Sequence, residues 1–370
     1  RLEFMLEKLL ERPPRDKLLS YLLTVALYQL EYSKAGSHVI VDQAVRAAKK
    51  FKSPVSGLVN AVLRNFLRQQ ESLRLAADAQ KTSHFAYQDW WIQEIEQQYG
   101  ARSNFILEAG NTHPPMTLRV NRRYTTTEEY KSLLEKADIS AQCVASEALL
   151  LEHPTAVERL PKFAEGWVSV QDAGAQCAAA ILGAENGMRV LDVCSAPGGK
   201  AMHMLERADI ELVAMDKDVR RLERVRQNLQ RGNHKAEVIC GDASQPAAWW
   251  DGKRFQRILA DVPCSASGVV RRHPDIKWLR RAADIAEFAE QQSRILEAIW
   301  PLLEPGGKLL YATCSIFRQE NQDVVDRFLA EHKDASQEAI KLPFVNEPPG
   351  QLLPCKQHDG FFYALLRKID

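Results

Sequence analysis

The sequence predicts an α/β protein in which a doubly wound, mostly parallel sheet follows an all-α domain and a small α+β domain. In residues 166–370, strand-like apolar runs alternate with amphipathic helical stretches, the pattern of a parallel sheet with helices on both faces. In the first seventy-odd residues, apolar side chains recur at helical spacing instead. The chain has 370 residues and 45% hydrophobic content, which is enough for two or three domains.

Residues 1–75 are predicted to form the helical domain. A helix over residues 18–30 is apolar enough to be central, and a second one carries an apolar face made of Val55, Leu58, Val59, Val62, Leu63, Phe66 and Leu67. This segment holds thirteen basic and seven acidic residues, so we expect a modestly basic surface. A solvated helix surface without any ligand remains an open alternative.

Residues 80–165 are predicted to form the small α+β domain. Helical stretches with Trp90, Trp91 and Ile92 give way to Pro114-Pro115 and then to the strand-like run at 116–121. The net charge of the whole chain is only +1, which by itself argues for no polyanionic partner. Any nucleic-acid contact must therefore come from local charge.

The composition excludes several classes of protein. Seven cysteines lie far apart without a paired C-x-x-C spacing, so neither a disulfide framework nor a metal site is predicted. No apolar run approaches a membrane span, and no segment has the layout of a secretory signal. The chain begins at Arg1 without a methionine, so this beginning is interpreted as a truncation or an unobserved start. A cytoplasmic monomer is the expectation.

A glycine turn follows the first of five strand-like runs, at 189–193, 212–215, 236–240, 257–260 and 308–312. Two glycines in that turn permit a tight bend and close approach of the backbone to a ligand before a helix begins. The spacing is not G-x-G-x-x-G, so the phosphate cradle of a dinucleotide fold is missing. S-adenosylmethionine has no phosphate to cradle, and it is the predicted cofactor.

Carboxylates follow three successive strands of the predicted sheet. Asp216 ends the second run, 18 residues after Gly198, where it can accept hydrogen bonds from both hydroxyls of a ribose. Asp242 follows the third run and Asp261 the fourth. A single aspartate after a strand is commonly a helix N-cap, but three in register point to a ligand site. The predicted cofactor contacts are Cys194, Ser195, Ala196, Pro197, Gly198, Gly199, Lys200, Asp216, Arg221, Asp242 and Asp261.

The nine residues from 192 to 200, together with Asp261-Val262-Pro263-Cys264 and Thr313-Cys314-Ser315, resemble the RsmB/Sun/Fmu family of bacterial ribosomal RNA cytosine-C5 methyltransferases, within the wider NOL1/NOP2/Sun group. Further matching stretches are Gln171-Asp172, residues 268–278 and residues 359–362. The resemblance runs along almost the whole chain. It implies a NusB-like first domain, a Rossmann-like methyltransferase domain and 16S rRNA as substrate. The chain departs from the family pattern at Ser195, Ala201 and Val262, where alanine, threonine and alanine are usual.

The resemblance also implies which groups react. Cytosine C5 is a poor nucleophile, so its methylation needs a thiolate that first adds to C6. Cys314 is the implied nucleophile, Cys264 helps to release the product, and Asp261 hydrogen-bonds the N3 and N4 edge of the base. DNA cytosine-C5 methyltransferases use the cysteine of the P-C motif instead, so DNA is not the expected substrate. Lys200 either lowers a thiol pKa or secures the turn, and both roles remain open.

A basic stretch with one aromatic side chain follows Cys264. Phosphate contact and base stacking suit such a mixture, although a solvated helix end is the alternative. Arg119 and Asn121 match a family motif near the RNA path. The predicted RNA contacts are therefore Arg119, Asn121, Arg271, Arg272, His273, Lys277 and Trp278, with Arg280 and Arg281 adding positive charge.

Two rival interpretations stay open. A tRNA-modifying member of the same family would carry the same motifs, and only the first domain argues against it. A non-catalytic RNA-binding scaffold of the antitermination type is suggested by that domain, but it would lack Cys314 or the glycine turn, and both are present.

Overall fold

The computed structural model describes residues 1–345 and 348–369, with backbone only for residues 51–53. It contains two compact units, Arg1–Gln93 and Glu94–Asp370. The order of an all-α part, a small α+β part and a doubly wound α/β part confirms the predicted fold class. Within the described ranges, no helix combines the length and the apolarity that crossing a bilayer requires.

The first unit is helical. Its core includes Leu23 and Leu27 from one helix and Val59, Leu63 and Phe66 from another, all fully buried. The helix predicted over 18–30 buries the face that carries Leu23 and Leu27. Its other face is open to solvent, where Tyr21 and Tyr28 are more than half exposed. The helices are α1 (Leu2–Leu9), α2 (Lys17–Tyr32), α3 (Ser37–Lys52), α4 (Ser56–Asp78) and α5 (Lys81–Phe85), and α6 (Asp89–Tyr99) spans the boundary.

The second unit opens with a small antiparallel sheet. Its elements are α7 (Ser103–Ala109), β1 (Thr117–Val120), α8 (Thr127–Lys136), β2 (Ala141–Ala145), β3 (Ala148–Leu151) and β4 (Val168–Val170). The strand order is β2-β3-β1-β4, so the predicted strand at 116–121 lies inside the sheet. Thr126 and Glu129 form a capping box that starts α8, and Tyr130 and Leu134 of α8 are buried with Leu118 and Leu149 of the sheet.

The large sheet has the order β10-β12-β9-β8-β5-β6-β7, and β11 pairs with β12. All five predicted strands are present, and β12 runs antiparallel between β9 and β10, which we did not predict from the sequence. The elements are α9 (Ala173–Leu182), β5 (Arg189–Val193), α10 (Gly199–Arg207), β6 (Glu211–Asp216), α11 (Val219–Arg231), β7 (Glu237–Cys240), β8 (Phe255–Asp261), α12 (Ile276–Leu279), α13 (Ala282–Ile299), β9 (Leu303–Thr313), α14 (Gln322–Glu331), β10 (Ala335–Glu338), β11 (Gln351–Leu352) and β12 (Phe361–Lys368).

The strand order reverses next to β5. The chain continues from β5 through β6 to β7 on one side, and β8 and β9 lie on the other. Leu191, Val193, Leu259 and Leu309 are fully buried, as expected for parallel strands that are covered on both faces. A crevice forms outside the carboxyl ends of strands at such a reversal. The glycine turn and the segment after Asp261 both emerge there.

Candidate active site

The glycine turn connects β5 to α10 and is shaped by Gly198, whose φ is +95°. A Cβ atom on Gly198 would lie 3.2 Å from Cα of Val225, so glycine suits both the angle and the space. The hydroxyl of Ser195 donates to a carboxylate oxygen of Asp192 at 2.7 Å. The other Asp192 oxygen is buried and has no hydrogen-bond partner among the described residues. Burial raises the pKa of Asp192 to about 7.

Asp216 is buried at the end of β6 and is brought to the turn as predicted for a cofactor contact. Its carboxylate accepts the N–H of Asp218 at 3.0 Å and the N–H of Ala196 at 3.3 Å. The Arg221 guanidinium lies 3.6 Å from the same carboxylate and also donates to the carbonyl of Ala196 at 2.9 Å. Asp216, Ala196 and Arg221 therefore form one cluster beside the turn.

The other predicted cofactor contacts have different surroundings. Cys194 is half-buried, and burial raises its pKa to about 12, so its thiol stays protonated. Pro197 is exposed and Gly199 is half-buried. Asp242 is exposed and accepts the N–H and the hydroxyl of Ser244, which lower its pKa. That turn is the ordinary local role of such an aspartate, and its contact with a cofactor stays a prediction.

Lys200 and Asp261 form an ion pair across the crevice. The Nζ atom of Lys200 lies 2.5 Å from a carboxylate oxygen of Asp261 and 5.9 Å from the centre of the Phe361 ring. Burial alone would lower the pKa of Lys200, but the Asp261 carboxylate outweighs it and the pKa is raised. Lys200 therefore remains charged, and it ties the first turn of α10 to the end of β8.

The two candidate thiols are neighbours. Cys264 lies three residues beyond β8 and Cys314 directly follows β9, and their sulfur atoms are 3.3 Å apart. Both side chains are half-buried. The hydrogen bond with Cys314 raises the pKa of Cys264, and burial raises it further. The two sulfur atoms therefore share one hydrogen bond, in which either thiol can be the donor.

A buried ionic cluster supports the loop after Cys264. Arg271 donates to Asp359 at 2.5 Å, and Arg272 pairs with both Asp359 and Asp172. The segments that carry these residues are the further stretches on which the family resemblance was based. Burial raises the pKa of Asp172 to about 6, and the neighbouring Asp359 adds to the effect.

The same loop approaches the start of β12 closely. The N–H of Gly360 donates to the carbonyl of Gly268 at 2.9 Å. A Cβ atom on Gly268 would lie 2.4 Å from the carbonyl oxygen of Gly360, so no side chain fits there. The backbone after Cys264 is therefore held directly against the segment that leads into β12.

Arg119 and Asn121, predicted to contact RNA, lie in the interior. Arg119 is 0% exposed and donates to the carboxylate of Glu206 at 2.8 and 2.6 Å and to the carbonyl of Gly199 at 2.7 Å. Asn121 is 1% exposed and donates to the carbonyl of Gly166 at 3.1 Å. Because neither side chain has surface to offer a phosphate, their placement opposes direct RNA contact. Arg119 joins the small sheet to the glycine turn and to α10, whereas Asn121 ties the end of β1 to the turn before β4.

The basic stretch after Cys264 contains both buried and exposed side chains. Arg271 and Lys277 are buried, and Lys277 donates to the side chain of Asn111 at 2.6 Å. Burial lowers the pKa of Lys277 to about 8. His273 is exposed, and Trp278 is 55% exposed. Direct RNA contact stays a prediction for these two exposed side chains, whereas the burial of Arg271 and Lys277 opposes it.

Sequence reasoning missed Glu320, which is completely buried beside both thiol-bearing loops. Its carboxylate accepts hydrogen bonds from Ser265 and Ser315, the residues that follow the two cysteines. The only signal in the sequence is an acidic residue six positions after Cys314, and exposed glutamates are far commoner than buried ones.

Three family models match the chain in order: the NusB family over residues 1–68, the RsmF/B-like ferredoxin-like domain over residues 87–158, and 16S rRNA methyltransferase RsmB/F over residues 179–367. The chain is 48% identical over 379 residues to "Ribosomal RNA small subunit methyltransferase B" of Vibrio cholerae, a match that covers 100% of this chain and 86% of that relative. The chain belongs to the RsmB/F family of 16S rRNA methyltransferases. The protein of the same name from Serratia proteamaculans is 46% identical over 375 residues, covering 100% of this RsmB/F chain and 87% of that relative.

Two solved structures share the fold of this chain. PH0851 superposes with a TM-score of 0.80 at 26% identity, covering 96% of this chain and 83% of its own. A methyltransferase homologue from Pyrococcus horikoshii superposes with a TM-score of 0.67 at 27% identity, covering 78% of this chain and 98% of its own. The predicted family and its NusB-like, small and methyltransferase parts are confirmed.

Proposed function

We propose that this RsmB/F protein transfers a methyl group from S-adenosylmethionine to C5 of a cytosine in 16S rRNA through a covalent bond between Cys314 and C6 of the base. The observation that carries the proposal is the 3.3 Å contact between the sulfur atoms of Cys314 and Cys264. This pair of thiols lies at the carboxyl edge of the sheet. The same edge holds the glycine turn and the Lys200–Asp261 ion pair.

The residues of the turn fit S-adenosylmethionine. Asp216 ends β6 with a buried carboxylate, which suits hydrogen bonds from ribose hydroxyls. The buried Asp192 oxygen without a partner can hydrogen-bond a polar group of a bound ligand. Gly198 supplies the positive φ of the turn and lets it pack against Val225 of α11. When bound, S-adenosylmethionine supplies an electrophilic methyl group on a sulfonium sulfur.

The side chains divide the reaction between them. Addition of the Cys314 thiolate to C6 turns C5 into an enamine-like carbon that accepts the methyl group. Asp261, held by Lys200, hydrogen-bonds the N3 and N4 edge of the base and stabilises the adduct as it forms. Loss of the C5 proton then restores the C5–C6 double bond and expels Cys314 as a thiolate. Cys264 first loses its own thiol proton to solvent, and as the adjacent thiolate it then takes up the C5 proton.

The proposed substrate is an unpaired or flipped cytosine, because a base inside a duplex cannot reach a thiol in a crevice. The relatives named for the small ribosomal subunit support 16S rRNA. The test is bisulfite sequencing of ribosomal and transfer RNA from cells with and without the protein, complemented by wild type, Cys314→Ala or Cys143→Ala. Cys143 is an exposed thiol on β2 and serves as the matched control.

We expect one 16S cytosine to lose its methyl mark without the protein, and only wild type and Cys143→Ala to restore it. A lost mark in tRNA alone would replace the rRNA assignment by the tRNA one. Unchanged marks in both RNAs would favour a non-catalytic scaffold.

A further inference from the structure

One buried carboxylate joins the two loops that carry the thiols. Glu320 accepts the N–H and the hydroxyl of Ser265 at 2.7 and 2.5 Å, and the hydroxyl of Ser315 at 2.6 Å. Ser265 directly follows Cys264, and Ser315 directly follows Cys314. Because a single group binds the residue after each cysteine, the position of Glu320 helps to set how the two sulfur atoms face each other.

The network around this carboxylate is closed. The hydroxyls of Ser267 and Ser315 are 2.9 Å apart, and Ser267 accepts the N–H of Ile316 at 2.9 Å. The side-chain nitrogen of Gln292 donates to Glu320 at 3.3 Å and, like the N–H of Ser265, it cannot accept. Burial outweighs the hydrogen bonds from Ser265, Ser315 and Gln292, so the pKa of Glu320 is raised overall. The two N–H donors, which cannot accept, act against burial and favour the ionised carboxylate.

Building on the function proposed above, we propose that Glu320 is a positioning residue whose charge helps to keep Cys264 protonated before the adduct forms, and sets the pH above which Cys264 in the adduct loses its own proton and can accept the C5 proton. A negative carboxylate disfavours a second negative charge nearby. The hydrogen bond with Cys314, burial and the charges of Cys314 and Glu320 all raise the pKa of Cys264. Once Cys314 is bonded to C6, its sulfur is a neutral thioether. The charge of Glu320 is still present in the adduct and continues to raise the pKa of Cys264.

Before release, the Cys264 thiol in the adduct gives its proton to solvent and becomes a thiolate, and no other reagent is needed. The electron pair of the C5–H bond forms the C5–C6 double bond, and the proton passes to the Cys264 thiolate. The electron pair of the C6–S bond leaves with Cys314, which becomes the thiolate. One thiol therefore gains a proton as the other regains its negative charge.

Several other titratable or charged groups surround the two thiols, and the test must separate Glu320 from them. They are Tyr311 on β9, Asp261 on β8 with Lys200 on α10, Arg280 after α12, whose Nε donates to the carbonyl of Ser265 at 3.1 Å, and Tyr363 on β12. None of them contacts the residues after both cysteines in the described structure, as Glu320 does.

The first experiment needs no RNA. In a Cys314→Ala protein, the missing thiolate imitates the neutral sulfur of the adduct, and iodoacetamide labelling read by mass spectrometry reports the Cys264 peptide over about pH 6 to 10. Adding Glu320→Gln should move the labelling midpoint down by about one pH unit. Adding Glu320→Asp keeps the charge and should leave the midpoint within about 0.3 units. Asp323→Asn removes a partly exposed carboxylate that pairs with Arg318, and it is the matched control.

The second experiment uses otherwise wild-type protein and measures the decay of the covalent RNA adduct against pH. Glu320→Gln should shift this profile to lower pH, whereas Glu320→Asp and Asp323→Asn should not. If Cys314 formed no adduct, the proposed function would fail, yet the labelling would still decide the role of Glu320. An adduct whose decay profile and labelling midpoint were unchanged in folded Glu320→Gln protein would overturn this inference alone.

Discussion

The Nζ atom of Lys200 lies 2.5 Å from a carboxylate oxygen of Asp261, so a residue of the glycine turn holds a residue that follows the fourth strand of the sequence pattern. Of the two roles left open for Lys200, securing local geometry is favoured by this contact. The secured partner is the carboxylate across the crevice, however, and not the turn alone. The cation also lies close enough to Cys314 to interact with it electrostatically.

Replacing Lys200 by methionine should slow methyl transfer by about a hundredfold in single-turnover assays, because Asp261 loses the charge that orients it. Lys235→Met is the control, since Lys235 is exposed on the same sheet domain. Methylation of an rRNA fragment with tritiated cofactor measures the rate. Wild-type rates in a folded Lys200→Met protein would show that Asp261 is oriented without the lysine.

Arg119→Met should lower the free energy of unfolding by about 3–5 kcal/mol, because it leaves the Glu206 carboxylate buried without its partner. Arg122→Met should change it by less than about 1 kcal/mol, since Arg122 is 55% exposed and its oppositely charged partner is 3.7 Å away. Urea unfolding measures both. The double variant Arg119→Met/Glu206→Leu should recover part of the loss. A stable Arg119→Met protein with weakened RNA binding would restore the RNA-contact prediction.

Asp192 should make stability fall with rising pH. Its folded pKa is about 7 against an ordinary value of 3.8, so between these values the folded protein holds a proton that the unfolded chain has released. Within that window, this group therefore lowers the free energy of unfolding by about 1.4 kcal/mol for each unit that the pH rises. The stability of Asp192→Asn relative to wild type should rise from about pH 4 to pH 7 and then level off.

Thermal and urea unfolding at several pH values measure this difference, with Asp242→Asn as the control. The pKa of Asp242 is lowered, so its contribution to stability is present at neutral pH and is lost as the pH falls through the folded value. A difference between Asp192→Asn and wild type that is independent of pH would contradict the buried, proton-holding state of Asp192.

Trp278→Ala should weaken binding of an unpaired RNA fragment by about tenfold, as expected for one lost stacking contact. Leu279→Ala is the control, because Leu279 is 66% exposed beside it but cannot stack. Fluorescence anisotropy at several salt concentrations measures both. The salt dependence should stay the same in Trp278→Ala, because no phosphate contact is removed. Equal affinities for Trp278→Ala and Leu279→Ala would remove Trp278 from the RNA surface.

The parallel strands could be predicted because their signals are local. A strand covered on both faces consists of an apolar run, and an aspartate after it marks the carboxyl edge, as at Asp216 and Asp261. The position of β12 had no such signal. Its residues are equally apolar, but only the distant pairing of Phe362 with Thr313 places the strand antiparallel between β9 and β10.

The site was predicted in part for the same reason. The glycine turn and the two cysteines stand at strand ends, and strand ends can be located from sequence. The interior roles of Arg119 and Arg271 depend on Glu206 and Asp359, which lie 87 and 88 positions farther along the chain. The role of Glu320 likewise depends on its hydrogen bond with Ser265, which lies 55 positions earlier. No local pattern distinguishes such side chains from solvated charges.

The hydrogen bond between Gly360 and Gly268 joins two segments that the ribosome makes at different times. Asp359, Gly360 and β12 follow every other described part of the site along the chain, so the ribosome makes them last. A nascent chain that has reached only β11 already contains both thiols and the glycine turn. It still lacks β12, the antiparallel neighbour of β9, and Asp359, the anchor of the loop after Cys264. Only after β12 has emerged can β9 gain its antiparallel neighbour and the loop after Cys264 its anchor at Asp359.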